Sequence, residues 1–314
     1  VRKITATNTE EGQRVDSLKS EGVVLQCLLR TNAGPYPSDT IRHLFKEIIK
    51  ASLGLRAGNL KDDLQVSRGC NPNGSTVRIG SLEIGAGNPV VIAGPCAIED
   101  AEQMQEVCSA LRELGIRLLR GGAFKPRTSP YTFRGLGAEG IKILAEMAAR
   151  YGMYVVTEVM DPREVVLVSE HAHILQIGAR NMTNSSLLTE VGRSGRPVLL
   201  KRGMGSTIEE LLLAAEYVWL SGGRQIVLCE RGIRTFEPWT RNTLDLSIVP
   251  LVKRESHLPI IVDLSHSLGR KDIIAPMARA SLAAGADGIM VEVHPRPHLA
   301  LCDADQQLSI TEFA

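Results

Sequence analysis

Eight short apolar runs lie between residues 90 and 294, and each leads straight into residues that can do chemistry. Val90-Val91-Ile92-Ala93 precedes Gly94-Pro95-Cys96, Leu118-Leu119 precedes Arg120, Tyr154-Val155-Val156 precedes Thr157-Glu158, and Ile174-Leu175-Gln176-Ile177 precedes Gly178-Ala179-Arg180. Val198-Leu199-Leu200 then leads to Lys201, Ile226-Val227-Leu228-Cys229 to Glu230-Arg231, Ile260-Ile261-Val262 to Asp263-Leu264-Ser265-His266, and Ile289-Met290-Val291 to Glu292-Val293-His294. Continuous apolar runs separated by helix-length segments are what a parallel sheet buried on both faces requires. Eight such units close a (β/α)8 barrel, with every polar ending at one mouth.

The 314 residues hold one barrel and a modest appendage. Residues 40–55 carry Ile41, Leu44, Phe45, Ile48, Ile49 and Leu53 at helical spacing, with Ser38 or Asp39 as start signal and Gly58 beyond. A weaker helical pattern covers 18–29, so residues 1–60 read as a small helical appendage. Residues 61–75, polar with Gly69, Pro72 and Gly74, read as a linker, and 76–314 as the barrel. Residues 76–79 and 82–84 flank Gly80-Ser81 as a hairpin able to plug one end of the barrel.

Helix starts recur between the apolar runs. Asp100 precedes one, Asp161-Pro162 opens another, and Ser206 with Glu209 forms a capping box. After Glu292 only a few helical turns' worth of residues remain, so the eighth helix reads as clipped and its neighbours as short of apolar cover. Val1 in place of Met reads, with that tail, as a trimmed chain.

Thirty-six basic against 35 acidic residues give a net charge of +1, which argues against a nucleic-acid or membrane-surface partner. The six cysteines form no CxxC pair, and no signal peptide or membrane-length apolar stretch is present, which points to the cytoplasm. A GxGxxG fingerprint after a strand and a GxxxxGK[ST] loop are both missing, which disfavours nicotinamide and ATP chemistry.

Cys96, His266, Glu292 and Asp303 stand at or beyond strand ends. A thiolate, an imidazole and two carboxylates suit one divalent transition ion such as Mn, Fe, Co or Zn, and suit Mg poorly. Taken singly, Cys96 reads as a small buried hydrophobe, His266 as a core histidine and Asp303 as a helix cap; their shared position favours the joint reading. A second set is cationic: Arg120, Lys125, Arg127, Arg180, Lys201 and Arg231. Cations crowded at one mouth cost stability unless an anion is bound, so two anionic groups or one polyanion are implied.

The strings at these strand ends resemble the 3-deoxy-7-phosphoheptulonate (DAHP) synthases of the microbial type that share a barrel with 3-deoxy-octulosonate 8-phosphate synthases. The resemblance rests on Gly94-Pro95-Cys96-Ala97-Ile98-Glu99, Gly121-Gly122-Ala123-Phe124-Lys125-Pro126-Arg127-Thr128-Ser129-Pro130, Gln176-Ile177-Gly178-Ala179-Arg180-Asn181 and Leu200-Lys201-Arg202-Gly203. It continues in Cys229-Glu230-Arg231-Gly232, Asp263-Leu264-Ser265-His266 and Val291-Glu292-Val293-His294. It implies Cys96, His266, Glu292 and Asp303 as ligands of one divalent metal, Mn first among the options. It also implies that Arg120, Lys125, Arg180, Lys201 and Arg231 hold phosphoenolpyruvate and that Arg127 and Thr128 meet the phosphate of erythrose 4-phosphate. Lys125, His266 and Cys96 are then the catalytic residues of an aldol-like condensation that opens the shikimate pathway of aromatic amino-acid biosynthesis, in a homodimer or homotetramer.

Two alternatives stand beside that reading. One is 3-deoxy-octulosonate 8-phosphate synthesis from arabinose 5-phosphate, against which Lys125-Pro126-Arg127-Thr128 argues, since that family usually places Ala-Asn between the lysine and the arginine. The other is an inactive regulatory or scaffolding barrel. Separately, Asn32-Ala33-Gly34-Pro35-Tyr36-Pro37 and Ile41-Arg42-His43-Leu44-Phe45-Lys46-Glu47-Ile48 resemble the last helix of a chorismate mutase domain. The long first helix of such a domain is essentially missing, which implies a degenerate segment that regulates or dimerises, with chorismate or prephenate as effector.

Overall fold

The computed structural model describes residues 25–26, 28–56, 64–125 and 131–314. The chain divides into two compact units, residues 1–60 and 61–314. In the first, helix α1 (Ser38–Arg56) covers the amphipathic stretch and carries an acidic residue, Asp39, in its first turn. The expected helix over 18–29 falls largely outside the described residues.

The second unit begins with a hairpin, β1 (Val77–Ile79) and β2 (Leu82–Ile84), paired antiparallel around Gly80 and Ser81. Eight parallel strands follow: β3 (Val90–Gly94), β4 (Leu118–Arg120), β5 (Tyr154–Glu158), β6 (Ile174–Ile177), β7 (Val198–Lys201), β8 (Ile226–Glu230), β9 (Ile260–Asp263) and β10 (Gly288–Glu292). They form a closed barrel in sequence order, with β10 paired to β3. The intervening helices are α2 (Ala101–Glu113), α3 (Ala138–Arg150), α4 (Val165–His171), α5 (Ser185–Arg193), α6 (Ile208–Leu220), α7 (Ile248–Glu255), α8 (Leu264–Leu268) and α9 (Ile274–Ala283), with a short α10 (Ile310–Phe313) last.

Each apolar run is continuous because its two faces meet two different cores. Ile92, Leu118, Val156, Ile174, Leu199, Val227, Ile261 and Met290 point inward and pack together, and Val77, Ile79 and Ile84 of the hairpin join them. The hairpin is therefore the plug expected of it. The alternate residues, among them Leu119, Val155, Leu175, Leu200, Leu228, Val262 and Val291, face the helices in a second cluster. Side chains on a strand repeat every two residues, so the position two beyond an inward residue also points inward, now at the mouth. That rule turns Leu118 into Arg120, Val156 into Glu158, Ile174 into Gln176, Leu199 into Lys201, Ile261 into Asp263 and Met290 into Glu292.

The helix signals hold with one shift. Asp100 caps α2, accepting from the Gln103 amide at 2.7 Å, and Asp161 caps the turn that leads into α4. The capping box of α6 is Thr207 with Glu210, not Ser206 with Glu209, because the Ser206 amide closes a turn onto the Gly203 carbonyl and the helix starts one residue later. The last helix is four residues long, with its own box of Ser309 and Glu312. Val91 and Ile289 are only half-buried, where the outward residues of the other strands are almost all covered.

The segment expected as a linker is described from Leu64 onward and is packed against the base of the barrel. Val66 is fully buried, its amide and that of Gln65 donate to the Glu216 carboxylate at 3.1 and 3.0 Å, and Ser67 bridges to Ser256. His257 closes the junction, with Nδ1 2.8 Å from Ser75 Oγ and Nε2 2.9 Å from the Gln65 carbonyl. Turn-rich composition did not reveal this, because the partners of these residues lie 150 or more positions away.

Candidate active site

The mouth is built from strand ends and the loops just beyond them. Cys96 sits two residues past β3, after Gly94, whose φ of +144° and approach to the Arg120 carbonyl leave no room for a side chain: a Cβ there would lie 2.1 Å from that oxygen. His266 rides on α8, which Asp263 caps through the His266 amide. Glu292 ends β10, and Asp303 lies in the loop before α10, the one non-glycine with positive φ among the described residues.

One ligand atom from each of Cys96, His266, Glu292 and Asp303 lies within 4.8 Å of the others. Four residues spread over 207 positions converge because β10 closes the barrel against β3. Asp263 fixes the imidazole by facing Nδ1 at 2.9 Å, which leaves Nε2 pointing at Glu292 (3.3 Å) and Asp303 (3.8 Å). A carboxylate on one ring nitrogen with the other nitrogen free is how proteins orient a metal-binding histidine. The donor set thus fits a divalent transition ion.

Electrostatics holds these groups ready. Burial opposes ionisation of Glu292, but His266, Arg120 and Lys125 outweigh it and hold its carboxyl down at about 2. Burial likewise works against the Asp263 charge, and His266 and Lys201 overcome it, keeping that carboxyl well below its ordinary range. For His266 burial wins over Asp263 and Glu292 and lowers the pKa, favouring the neutral imidazole that a metal takes. Burial, then the contact with Cys302, pushes the Cys96 thiol up, so an ion must displace its proton.

The cations line the same pocket. Arg120 donates to Glu292 Oε1 at 2.5 Å and to the Cys96 carbonyl at 3.0 Å, and Lys125 Nζ lies 3.1 Å from Cys96 Sγ. Lys201 is ion-paired with Asp263, while Arg180, on a 3-10 turn after β6, stands exposed at the rim. Among the described residues, Arg120 Nε and Arg231 Nη1 are buried without a hydrogen-bond partner. Unsatisfied guanidinium nitrogens on a pocket wall mark where an anion fits, since leaving them unmet costs about 1–3 kcal/mol each. Arg127 and Thr128 lie outside the described residues.

Several residues of the site were not singled out from the sequence. Glu158 and Gln176 share the pocket wall with the cations. Gln307 clamps two loops, accepting from the Cys96 amide at 3.0 Å and donating to the Cys302 carbonyl at 2.7 Å. Cys302 brings its sulfur to 2.9 Å from Cys96 Sγ. Arg241 and Gln306 touch the acidic ligands. The strand period of two points to Glu158 and Gln176; for the others only the placement of Gln306-Gln307 just after Asp303 could have served. By contrast Glu230, a strand-end acid, belongs to a separate buried pair with Arg202 at 3.0 Å.

Residues 65–314 match the model of the DAHP synthetase I family. The chain belongs to that family. It is 54% identical over 254 residues to the phospho-2-dehydro-3-deoxyheptonate aldolase of Thermotoga maritima, a match covering 81% of this chain and 75% of that one. A crystal structure of the Thermotoga maritima DAHP synthase superposes with a TM-score of 0.79 at 53% identity, over 81% of this chain and 75% of the other. A 2-dehydro-3-deoxyphosphooctonate aldolase of Desulfatibacillum aliphaticivorans is 32% identical, over 75% of this chain and 93% of its own. Membership brings the barrel and its mouth; the family match leaves residues 1–64 aside.

Proposed function

We propose that this chain condenses phosphoenolpyruvate with erythrose 4-phosphate, giving 3-deoxy-D-arabino-heptulosonate 7-phosphate and phosphate. That condensation is the reaction of its family. The observation that carries it to this chain is the union, in one pocket, of a four-donor cluster and a cationic wall with two unmet guanidinium nitrogens. The higher identity to the heptonate enzyme than to the octonate one sets the sugar. An intact inventory of charged groups argues against an inactive scaffold.

Cys96, His266, Glu292 and Asp303 would hold one divalent ion, Mn first among Fe, Co and Zn. Such an ion supplies Lewis acidity, making an aldehyde more electrophilic without a strong protein acid. The protein's own residues do the rest. Arg120, Arg180, Lys201 and Arg231 fix the phosphate and carboxylate of phosphoenolpyruvate and screen the approach of two anions. Lys125, buried beside Cys96, holds a proton at Nζ and delivers it to the aldehyde oxygen as the new carbon–carbon bond forms. Positive charge then grows at the carbon bearing phosphate, where water adds before phosphate leaves.

Arg127 and Thr128 belong to the same reading as the grip on the second phosphate. So do a cytoplasmic location, supported by the reduced thiols of Cys96, Cys108 and Cys229, and a homodimer or homotetramer. No helix among the described residues is long and apolar enough to cross a membrane. The α1 segment carries the proposal of a regulatory appendage that responds to chorismate or prephenate.

The test is phosphoenolpyruvate consumption with erythrose 4-phosphate, with and without chelator, against the same assay with arabinose 5-phosphate. Turnover with the four-carbon sugar that chelator abolishes is expected; faster turnover of arabinose 5-phosphate would transfer the chain to the octulosonate reaction.

A further inference from the structure

Arg241 and Gln306 lie 65 positions apart, belong to neither the donor cluster nor the strand ends, and meet beneath the two acidic ligands. Gln306 is buried, and its amide nitrogen donates to Glu292 Oε2 at 2.5 Å and to Asp303 Oδ2 at 3.4 Å. Its amide oxygen accepts from Arg241 Nη1 at 2.7 Å. Arginine only donates and a carboxylate only accepts, so the partners on either side fix which way this amide faces. Arg241 also reaches Asp303 Oδ2 directly at 3.2 Å.

Both residues are tied to elements that carry ligands. The Arg241 amide donates to the Leu268 carbonyl, and its neighbour Asn242 donates through its side chain to the His266 carbonyl at 3.1 Å. The backbone at Gly269 approaches so closely that a Cβ there would lie 2.4 Å from Arg241 Cβ. The loop after β8 is thereby zipped to the end of α8, the helix that carries His266. On the other side Asp303 holds a left-handed backbone, φ +52° and ψ +40°, a conformation that a non-glycine residue keeps only when its surroundings impose it.

We infer that Arg241 and Gln306 are positioning residues for the metal site, holding the Glu292 and Asp303 carboxylates together and tying the Asp303 loop to the His266 helix. The inference rests on the metal reading proposed above. Two carboxylates sharing one small site repel each other; a shared amide donor and a guanidinium between them offset that repulsion. Without the couple the site still contains its four donors, but Asp303 is free to relax away from them.

The test uses the full chain stripped with chelator and titrated calorimetrically with Mn2+, and with Co2+ followed by its thiolate charge-transfer absorption. Gln306→Met keeps the side-chain volume and removes the amide; Arg241→Met removes the cation at a position about one-third exposed. Each is expected to weaken Mn2+ binding about 10- to 100-fold, the usual effect of losing an outer partner of a ligand. Arg241→Lys keeps the charge but not the fork, so its affinity falls between the parent's and that of Arg241→Met. Phosphoenolpyruvate affinity, titrated separately, is unchanged in Gln306→Met, which a general loosening of the mouth would not allow. Folded Met variants that bind Mn2+ as tightly as the parent overturn the positioning role alone. A parent that binds neither ion overturns the metal reading as well.

Discussion

Lys201 and Asp263 form a buried ion pair at the ends of two strands that flank β8, and the carboxylate oxygen that meets the ammonium also faces His266 Nδ1 at 2.9 Å. One acid thus joins the two halves of the site: it holds a cation of the pocket wall and faces a donor of the four-residue cluster. Asp263→Asn leaves Lys201 buried without its counter-charge, and breaking such a pair costs about 3–5 kcal/mol. Urea denaturation should show that loss as a lower midpoint at unchanged slope; an unchanged midpoint would remove Asp263 from the role of joint anchor.

Cys96→Ala and His266→Ala are expected to abolish condensation, and excess Mn2+ should fail to restore it, because each removes one of only four donors. Chelation of the parent should abolish turnover reversibly. A chelated protein that keeps full activity would end the metal role of all four residues.

Gly94→Ala places a methyl group 2.1 Å from the Arg120 carbonyl in a backbone of φ +144°. Neither β3 nor β4 can move apart without opening the barrel, so overpacking and backbone strain together should cost about 3 kcal/mol or more. Thermal unfolding of the purified variant reads this directly, and a midpoint equal to the parent's would show that the strands yield.

The base of the barrel should loosen in acid. Burial lowers the pKa of His257, with Arg68 acting in the same direction and Gln65 and Glu216 partly opposing. The folded state therefore resists protonation where the unfolded chain, near the ordinary value of 6.5, accepts it. This contribution to stability is complete above that ordinary value and is lost as pH falls through the lowered one. Melting curves from pH 7.5 to 5 should slope less steeply for His257→Gln than for the parent. Identical slopes would mean that the junction with Ser75 and Gln65 does not sense protons.

Much of the site was legible because strands obey a two-residue period. Once Leu199 is inward, Lys201 must be inward too, and the same step leads from Met290 to Glu292 and from Leu118 to Arg120. Cys96, His266 and Asp303 were legible by residue type and by their place after strands. Arg241 was not: it lies in an irregular loop, has no periodic position, and resembles any surface arginine until the end of α8 is laid beside it. Gln306 was hidden for a different reason, since an amide signals nothing until the two carboxylates and the guanidinium it bridges are in view. The Leu64-to-Ser75 segment reads as a linker by composition and proves otherwise only because Glu216 and His257 receive it.

The sequence by itself determined the barrel, the side of it that carries chemistry, and the two classes of group gathered there, because local hydrophobic period and strand-end chemistry are properties of short stretches. The tertiary structure alone decided which groups touch. Closure of β10 onto β3 brings Glu292 to Cys96, and the loops beyond bring Arg241 and Gln306 between the acids. Contacts between residues far apart in the chain depend on how the whole barrel closes, and no local pattern encodes that.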